Sequence, residues 1–152
     1  MDPSGLRAEF PVLDRFAYLN AGTDGPLPAV AVRAATLELE REVAQGRAGA
    51  HFQRRSELAS ELRSAYARVL SCRADDVALT TCTTEGIAQT IVGLALGSGD
   101  EILTSDEEHP GLLGALAAAR ELNGVQVRKV PLSAIAHEVG PRTRLVACSH
   151  VG

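Results

Sequence analysis

Thr80-Thr81-Cys82-Thr83-Thr84-Glu85-Gly86-Ile87 lies between a short apolar run at 77–79 and an apolar pattern of helical spacing that begins at Ile87. We therefore predict a strand at 77–81 that turns through small hydroxyl residues into a helix at 84–96. The free N–H groups of a first helical turn point outward, and the helix dipole adds partial positive charge there. Because threonine hydroxyls can donate further hydrogen bonds, the stretch predicts a site for the phosphate of a small molecule.

An ordinary N-capped helix would also explain these threonines. No Gly-Lys-Ser/Thr follows them, so the stretch is not a Walker A loop, and it does not match G-x-G-x-x-G either. The phosphate site therefore depends on which other groups the fold brings to this turn.

Composition limits the class of protein. A chain of 152 residues suits one domain of ordinary size, and with 45% hydrophobic but only 3% aromatic residues its core must be built from Ala, Val, Leu and Ile. The net charge of −4 is spread along the chain, which argues against a protein that grips nucleic acid or an anionic membrane. The sequence shows neither a run long enough to span a bilayer nor a signal peptide, so we expect a cytoplasmic location.

The three cysteines, Cys72, Cys82 and Cys148, show no C-x-x-C spacing and predict neither a disulfide framework nor a zinc site. We expect small, buried or half-buried thiols. Cys82 differs because it lies inside the predicted phosphate turn, where a helix N-terminus would stabilise a thiolate. The chain has one lysine, Lys129, against fourteen arginines, and we expect it at a solvated strand end.

Strands and helices alternate in the second half of the chain. We predict strands at 77–81, 101–105, 125–130 and 143–148, with helices at 84–96, 111–122 and 132–138 between them. This alternation predicts an α/β fold with a mainly parallel sheet, in which ligands bind at the carboxyl ends of the strands. The turns at 80–86, 105–111 and 148–152 should therefore share one face.

The first half predicts two amphipathic helices, at 28–45 and 56–71, with Ser56 as the N-cap of the second. The apolar face of the first consists of Val32, Ala35, Thr36, Leu39 and Val43. Residues 1–25 are predicted to be irregular, with a short extended segment at 16–19 and a turn-rich loop from Asn20. We interpret the carboxylate-rich stretches 38–42 and 57–61 as solvated helix faces.

Two further groups could carry chemistry at the same edge of the sheet. In Ser105-Asp106-Glu107-Glu108-His109-Pro110-Gly111, His109 could act as a base, as a proton shuttle or as a ring that stacks on a flat ligand, and a plain surface histidine is the alternative. Ser149-His150 could line the same opening. Glu107 and Glu108 have no second histidine at helical spacing, so we predict no metal site. His51 and His137 have no partners in the sequence pattern and are expected to be exposed.

Taken in order, five segments resemble the class V aminotransferase family. These fold-type I enzymes depend on pyridoxal 5'-phosphate (PLP) and include the cysteine desulfurases, selenocysteine lyase and isopenicillin N epimerase-like enzymes. The segments are Tyr18-Leu19-Asn20-Ala21-Gly22, Thr83-Thr84-Glu85-Gly86-Ile87, Gly99-Asp100-Glu101-Ile102-Leu103, Glu108-His109 and Ala147-Cys148-Ser149-His150-Val151. The resemblance implies the three-layer, mainly parallel sheet of the PLP-dependent transferase large domain, here incomplete. Residues 1–25 would lie near the active site, and 26–152 would form part of the PLP-binding domain.

The resemblance also implies roles for individual residues. Thr83 and Thr84 would bind the cofactor phosphate, His109 would stack on the pyridine ring and shuttle protons, and Asn20 would lie near the substrate. That substrate would be an amino acid, and carbon–sulfur cleavage is the first expectation, with transamination or epimerisation as the alternative. A homodimer is implied as well, with the loop at 46–52 as a candidate contact.

The chain departs from the family pattern in two ways. Pro110 stands where desulfurases often have a second histidine, which favours the epimerase-like or carbon–sulfur lyase branch. The family's cofactor-binding lysine and its Asp for the pyridinium nitrogen lie downstream of the Ser-His-Val segment, and neither Lys129 nor any other residue here matches them. By position, none of the three cysteines matches the sulfur-accepting one. We therefore expect part of a longer enzyme; a non-catalytic α/β module that binds a phosphorylated ligand is the rival if the chain is complete.

Overall fold

The computed structural model describes the backbone of residues 3–149 and the side chains of residues 5–149. The chain divides into two compact units, Met1–Val77 and Ala78–Gly152. The described part of the first unit contains α1 (Pro3–Ala8), a 3-10 turn (Pro11–Asp14), α2 (Ala29–Gln45), α3 (Gly49–Leu70) and a second 3-10 turn (Ala74–Asp76). The described part of the second contains α4 (Thr83–Gly93), β1 (Glu101–Ser105), α5 (Pro110–Asn123), β2 (Gln126–Val130), a 3-10 turn (Leu132–Ala134), α6 (Ile135–Glu138) and β3 (Thr143–Val146).

The three strands of the second unit form a parallel sheet in the order β2-β1-β3. β1 is central, with Glu101 opposite Gln126 in β2 and Leu103 opposite Val146 in β3. Because the strands are parallel, the loops that leave β1 and β3 emerge at the same edge of the sheet. This confirms the predicted α/β fold and the strands predicted at 101–105, 125–130 and 143–148.

Helices cover both faces of this sheet. On one face, Ile102 packs against α4 and α5 in a core cluster made of Ile91, Leu96, Ile102, Leu112, Leu116, Ala119 and Val125. Each fully buried leucine or isoleucine of such a cluster contributes about 1.5–3 kcal/mol to folding. Successive strand residues point to opposite faces, so the buried Leu103 lies on the other face, where α6 contacts β1. The second unit therefore has the three layers that the resemblance implies.

A buried carboxylate joins the strands at their N-terminal ends. Glu101 is only 6% exposed, and its carboxylate accepts hydrogen bonds from Arg128 Nε at 2.9 Å and from Thr143 Oγ1 at 2.7 Å. Arg128 in turn lies 2.6 Å from a carboxylate oxygen of Glu138 in α6. The hydrogen bonds from Arg128 and then Thr143 hold the pKa of Glu101 below its ordinary value. One ionised side chain thus connects all three strands and, through Arg128, the last helix.

Two helices end at glycines. Gly46 follows α2 with φ 71° and Gly124 follows α5 with φ 73°. Positive φ is easy for glycine and strained for other residues, so these positions stop the helices.

Several boundaries differ from the prediction. The segment 77–81 pairs with no strand in the described part of the chain, so the strand predicted there is wrong. The segment 16–19, predicted to be extended, belongs to no helix or strand. An apolar run becomes a strand only where a neighbour can satisfy its N–H and C=O groups. The prediction of irregular structure is wrong for 3–14, where α1 and a 3-10 turn form, each with a proline in its first turn, where the missing N–H costs nothing. It is confirmed for 15–25, which contain no helix or strand. α3 begins at Gly49, so Ser56 lies inside it and is not its N-cap.

In α2, the side chains predicted to be buried are exposed, and the carboxylates predicted to be solvated face α3. The apolar side chains of α2 are exposed, Leu39 by 60% and Val43 by 88%. Its carboxylates instead face α3, with Glu38 Oε1 2.9 Å from Arg54 Nη2 and Glu42 Oε1 3.3 Å from His51 Nδ1. The His51 side chain is only 11% exposed. The predictions of a solvated face at 38–42 and of an exposed His51 are therefore wrong, because these charges pair across the two helices.

Candidate functional site

Helix α4 begins at Thr83, directly after the extended residue Cys82, whose side chain makes no capping hydrogen bond. Thr83 and Thr84 are thus the first two helical residues, and both are exposed. Within residues 3–149 neither hydroxyl has a hydrogen-bond partner. The start of α4 therefore offers two hydroxyls and the free N–H groups of a first helical turn, which is the donor set that binds phosphate.

The carboxylate in this first turn is directed away from those donors. Glu85 accepts hydrogen bonds from the backbone N–H and the hydroxyl of Thr81, both at 2.6 Å. These bonds hold the pKa of Glu85 below its ordinary value, so the carboxylate is ionised at neutral pH. They also tie the residues before α4 to its first turn, which fixes the backbone at the threonines.

His109 caps the N-terminus of α5. Its backbone is extended, Pro110 follows as the first helical residue, and its ring Nδ1 accepts the backbone N–H of Gly111 at 3.0 Å. A neutral imidazole that accepts at Nδ1 carries its proton on Nε2. The ring is exposed. The cap therefore selects one tautomer and leaves Nε2–H as the group that a ligand would meet.

The first turns of α4 and α5 meet at Gly111. A Cβ added to Gly111 would lie 2.3 Å from Thr84 Oγ1 and 3.1 Å from His109 Nδ1. Only a residue without a side chain allows this approach, and the glycine thereby brings the Thr84 hydroxyl next to the imidazole. The prediction that the turns at 80–86 and 105–111 share one face is confirmed by this contact. The roles of Thr83, Thr84 and His109 toward a cofactor remain predictions.

The loops after β1 and β3 also meet. The Glu108 carboxylate accepts hydrogen bonds from Ser149 Oγ at 2.7 Å, from Ser149 N–H at 2.9 Å and from Ser105 Oγ at 2.5 Å. Burial raises the pKa of Glu108, but the hydrogen bonds from Ser105 and Ser149 outweigh it and keep the pKa below its ordinary value. Ser149 thus reaches the predicted edge, whereas His150 lies outside the described residues.

A largely apolar groove of about 470 Å³ adjoins the start of α4. It lies between α4 and β3, with Thr83 and Gly86 on one side and residues 145–148 on the other. Its volume is in the range of small-molecule sites. Thr83, at the start of α4, therefore borders this groove.

Asn20 belongs to the first unit, where its carbonyl accepts the backbone N–H groups of Thr23 and Asp24, both at 3.2 Å. Tyr18 donates its hydroxyl to the carbonyl of Asp24 at 2.5 Å, which closes the predicted turn. The role of Asn20 toward the substrate stays a prediction.

The three cysteines were further candidates. Cys72, Cys82 and Cys148 are exposed free thiols, so the expectation of buried or half-buried cysteines is wrong. Cys82 directly precedes α4, and Cys148 lines the groove beside it. Lys129 and His137 are exposed, as expected. Within residues 3–149, no group of three or more His, Cys, Asp and Glu side chains is arranged to hold a metal ion.

Sequence reasoning overlooked Glu108 and Gly111 as parts of the site. From the sequence, Glu108 is considered as a metal ligand and as part of the Glu108-His109 segment, and it receives no role of its own at the site. Gly111 had no signal, because its importance lies in a contact with Thr84 that only the folded chain makes.

The comparison with known proteins identifies the class. A family model for class V aminotransferases matches residues 17–152, and the chain belongs to that family. A probable cysteine desulfurase of Methanothermobacter thermautotrophicus is 28% identical over 161 aligned positions, which cover 99% of this chain and 40% of the relative. The chain thus spans about 40% of the length of the curated relative that it matches.

Solved structures agree with this assignment. A mutant of C-DES with glycine covalently linked to its PLP cofactor is 33% identical and superposes with a TM-score of 0.87, covering 95% of this chain and 40% of that one. The complex of the cystine C–S lyase C-DES with its product cysteine persulfide gives 33% identity and a TM-score of 0.86, with 93% and 40% covered. The cysteine desulfurase CsdA from Escherichia coli, at 24% identity and a TM-score of 0.77, shows the same fold over 96% of this chain and 40% of its own. The chain is therefore related to PLP enzymes of the desulfurase and C–S lyase type, and it matches part of their fold.

No helix within residues 3–149 is both long enough and apolar enough to cross a membrane.

Proposed function

We propose that this protein is a PLP-dependent enzyme that cleaves a carbon–sulfur bond of an amino acid. One observation carries the proposal: Gly111 brings the Thr84 hydroxyl at the start of α4 next to the imidazole of His109 at the start of α5. An anion site and an imidazole at one sheet edge are what a phosphorylated, flat cofactor requires. Membership of the class V family and the likeness to C-DES support the choice of PLP.

The residues present fit the cofactor. The N–H groups and hydroxyls of Thr83 and Thr84 have the donor chemistry that a phosphate needs, and Glu85 is held away by Thr81. Gly111 places no side chain of its own against the Thr84 hydroxyl. When bound, PLP supplies a ring that stabilises negative charge on the carbon next to the amino group. The Cys148 end of the groove would take the neighbouring apolar part of the ligand.

His109 would act at its Nε2 atom. The hydrogen bond from Gly111 N–H occupies Nδ1, so in the neutral ring Nε2–H is the group free to donate a hydrogen bond toward a ligand. Its position on the first turn of α5 fixes the ring plane, and a fixed ring can both stack on a flat ligand and move a proton over a short distance. The amino-acid substrate would bind near Asn20, and a homodimer would complete the assembly.

Carbon–sulfur cleavage is favoured over the alternatives by the C-DES likeness, at 33% identity. Pro110, which replaces the second histidine that desulfurases often carry, is compatible with both a carbon–sulfur lyase and an epimerase-like enzyme and does not separate them. Transamination or epimerisation remains the alternative chemistry. The alternative to an enzyme is a non-catalytic module that binds a phosphorylated ligand. The single lysine of residues 1–152, Lys129, is exposed in β2 and is not one of the side chains gathered around Thr84 and His109.

The test uses the full-length protein loaded with PLP and supplied with cystine or cysteine. We expect release of sulfide or a persulfide product together with the carbon product of the amino acid. A new amino acid formed from an added keto acid would instead indicate transamination, and inversion at the α-carbon without release of sulfur would indicate epimerisation. Tight PLP binding with none of these products would favour the non-catalytic module and contradict the proposal.

A further inference from the structure

Glu108 differs from its neighbours in how it is bound. It is half-buried, whereas Asp106, Glu107 and His109 are exposed. Its two carboxylate oxygens accept hydrogen bonds from Ser149 Oγ, Ser149 N–H and Ser105 Oγ at distances between 2.5 and 3.0 Å. We call this set of three residues, Ser105, Glu108 and Ser149, the Glu108 clasp.

The Glu108 clasp joins two strand ends that are far apart in sequence. Ser105 is the last residue of β1, and Ser149 lies 41 residues beyond Glu108, after β3. Hydrogen bonds to an ionised acceptor are about twice as strong as neutral ones. The Ser149 N–H approaches both carboxylate oxygens, at 2.9 and 3.0 Å, so the backbone after β3 is held as well as the side chain. The clasp therefore fixes the separation of the two loops at the carboxyl edge of the sheet.

This fixed loop carries the imidazole. His109 is the next residue along the chain, and its cap on Gly111 requires the extended backbone that it adopts, with φ −66° and ψ 140°. Its ring can keep that place only if the preceding residue is anchored. Without the clasp, residues 106–108 would be held to the sheet by fewer and weaker contacts.

The clasp also leaves Glu108 little capacity for other roles. Three donors occupy its carboxylate, and no cluster suited to a metal ion exists within residues 3–149. A general base needs a free lone pair directed at a substrate proton, and a ligand needs one directed at a metal. The bonding of Glu108 is that of a structural anchor.

We propose that Glu108 is a positioning residue, which sets the place of the His109 ring by fastening the loop after β1 to Ser149. The proposal rests on the proposed function of His109 and adds to it the residue through which the imidazole is oriented. Glu108 itself touches neither cofactor nor substrate. A displacement of about 1 Å at a reacting group can lower a rate by about a hundredfold, so loss of the anchor should be visible in turnover.

The test compares Glu108→Ala, Glu108→Gln and Ser149→Ala in the full-length protein, with Glu107→Ala as the matched control from the same loop. The first measurement is amide hydrogen exchange in the cofactor-free protein at Gly111 and Ser149. We expect Glu108→Ala to speed exchange at both amides by about tenfold or more. The Ser149 N–H loses its hydrogen bond to the Glu108 carboxylate, and the Gly111 N–H loses the fixed position of the His109 ring to which it donates. Glu107→Ala should change neither, and Glu108→Gln, which still accepts the Ser149 N–H, should keep most of the protection.

The second measurement is turnover of the loaded enzyme. Glu108→Ala should lower kcat roughly tenfold to a hundredfold with a smaller change in KM, and Glu108→Gln should recover much of the loss. In a His109→Ala background, Glu108→Ala should cost little more, because it acts through the ring already removed. Ser149→Ala, which keeps its backbone N–H, should give an intermediate effect.

Each result bears on the proposal separately. Unchanged exchange at Gly111 and Ser149 in Glu108→Ala would overturn it, and so would a loss of kcat that adds fully to that of His109→Ala. If His109→Ala alone leaves turnover unchanged, the proposed function of His109 fails, and faster exchange in Glu108→Ala would still support the clasp. The failure of the anchor and the failure of the enzyme assignment are thus distinguishable.

Discussion

Gly111 and Thr84 approach each other so closely that a Cβ on Gly111 would lie 2.3 Å from Thr84 Oγ1. The two residues belong to the first turns of different helices, α5 and α4, and the same glycine donates its N–H to His109 Nδ1. The close approach thus couples the hydroxyl proposed to bind phosphate to the imidazole proposed to carry the proton.

Gly111→Ala should be destabilising for this reason. The new methyl group must push Thr84 or the start of α5 aside, which costs about 1–3 kcal/mol in the free energy of unfolding. Gly114→Ala is the matched control in the same helix, because a Cβ there meets nothing within 4 Å. It should stabilise the protein by about 0.5–1 kcal/mol through helix propensity. Denaturant unfolding measures both, and equal changes in the two variants would show that the contact carries no constraint.

His109→Ala should slow turnover far more than it weakens cofactor binding. Loss of a positioned acid–base group lowers rates by about 10²–10⁴-fold, whereas the proposed phosphate donors at Thr83 and Thr84 stay in place. The variant also loses the N-cap of α5, at a cost of about 1 kcal/mol in stability. Steady-state kinetics and a PLP titration on the same preparations measure the two effects, with the exposed His137→Ala as control. A loss confined to PLP affinity would assign His109 to binding alone.

The Glu101 network predicts how stability depends on pH. Hydrogen bonds from Arg128 and Thr143 lower the folded-state pKa of Glu101 from its ordinary value of 4.5. A lowered folded pKa means that its contribution is complete above the unfolded-state pKa and is lost as the pH falls through the folded one. Stability should therefore decrease as the pH is lowered below about 4.5, with part of the slope due to Glu101.

Glu101→Gln checks this assignment. It should lower the free energy of unfolding at pH 7 and flatten the acid limb of the stability curve, because a neutral amide has no proton to gain. Glu121→Gln is the control and should leave the curve nearly unchanged, because this exposed carboxylate pairs with the adjacent Arg120 and with no other cation in the described part of the chain. An acid limb as steep in Glu101→Gln as in the parent protein would exclude Glu101 as its source.

Sequence patterns predicted the parts of the fold that depend on local signals. The strand at Glu101–Ser105 is a run bounded by a turn and a loop, and the helix at Pro110–Asn123 stops at a glycine, so both could be located closely. The strand expected at 77–81 has a similar local pattern but no partner in the described chain. Whether a segment pairs as a strand depends on its neighbours in the sheet, and the segment's own residues do not determine it.

The candidate site likewise has residues that local sequence patterns predicted and residues that they did not. Thr83, Thr84 and His109 stood out because each follows an apolar run, but it is the close contact at Gly111 that brings the two turns together. Glu108 and Ser149 are 41 residues apart, and their hydrogen bonds depend on the register of β3 beside β1. His51 seemed isolated for the same reason, since its partner Glu42 lies on another helix. Local residue patterns do not predict the contacts between segments that are distant in sequence.

The most direct measurement of the central claim is phosphate-dependent binding in Thr83→Ala/Thr84→Ala. Full-length protein would be titrated with PLP and with pyridoxal, which lacks the phosphate, and Thr36→Ala, whose hydroxyl bonds the Val32 carbonyl within α2, would serve as control. We predict that the double variant binds PLP about tenfold to a hundredfold more weakly, while pyridoxal binding and the control stay unchanged. Equal PLP affinity in the double variant and the parent would contradict a phosphate site at the start of α4.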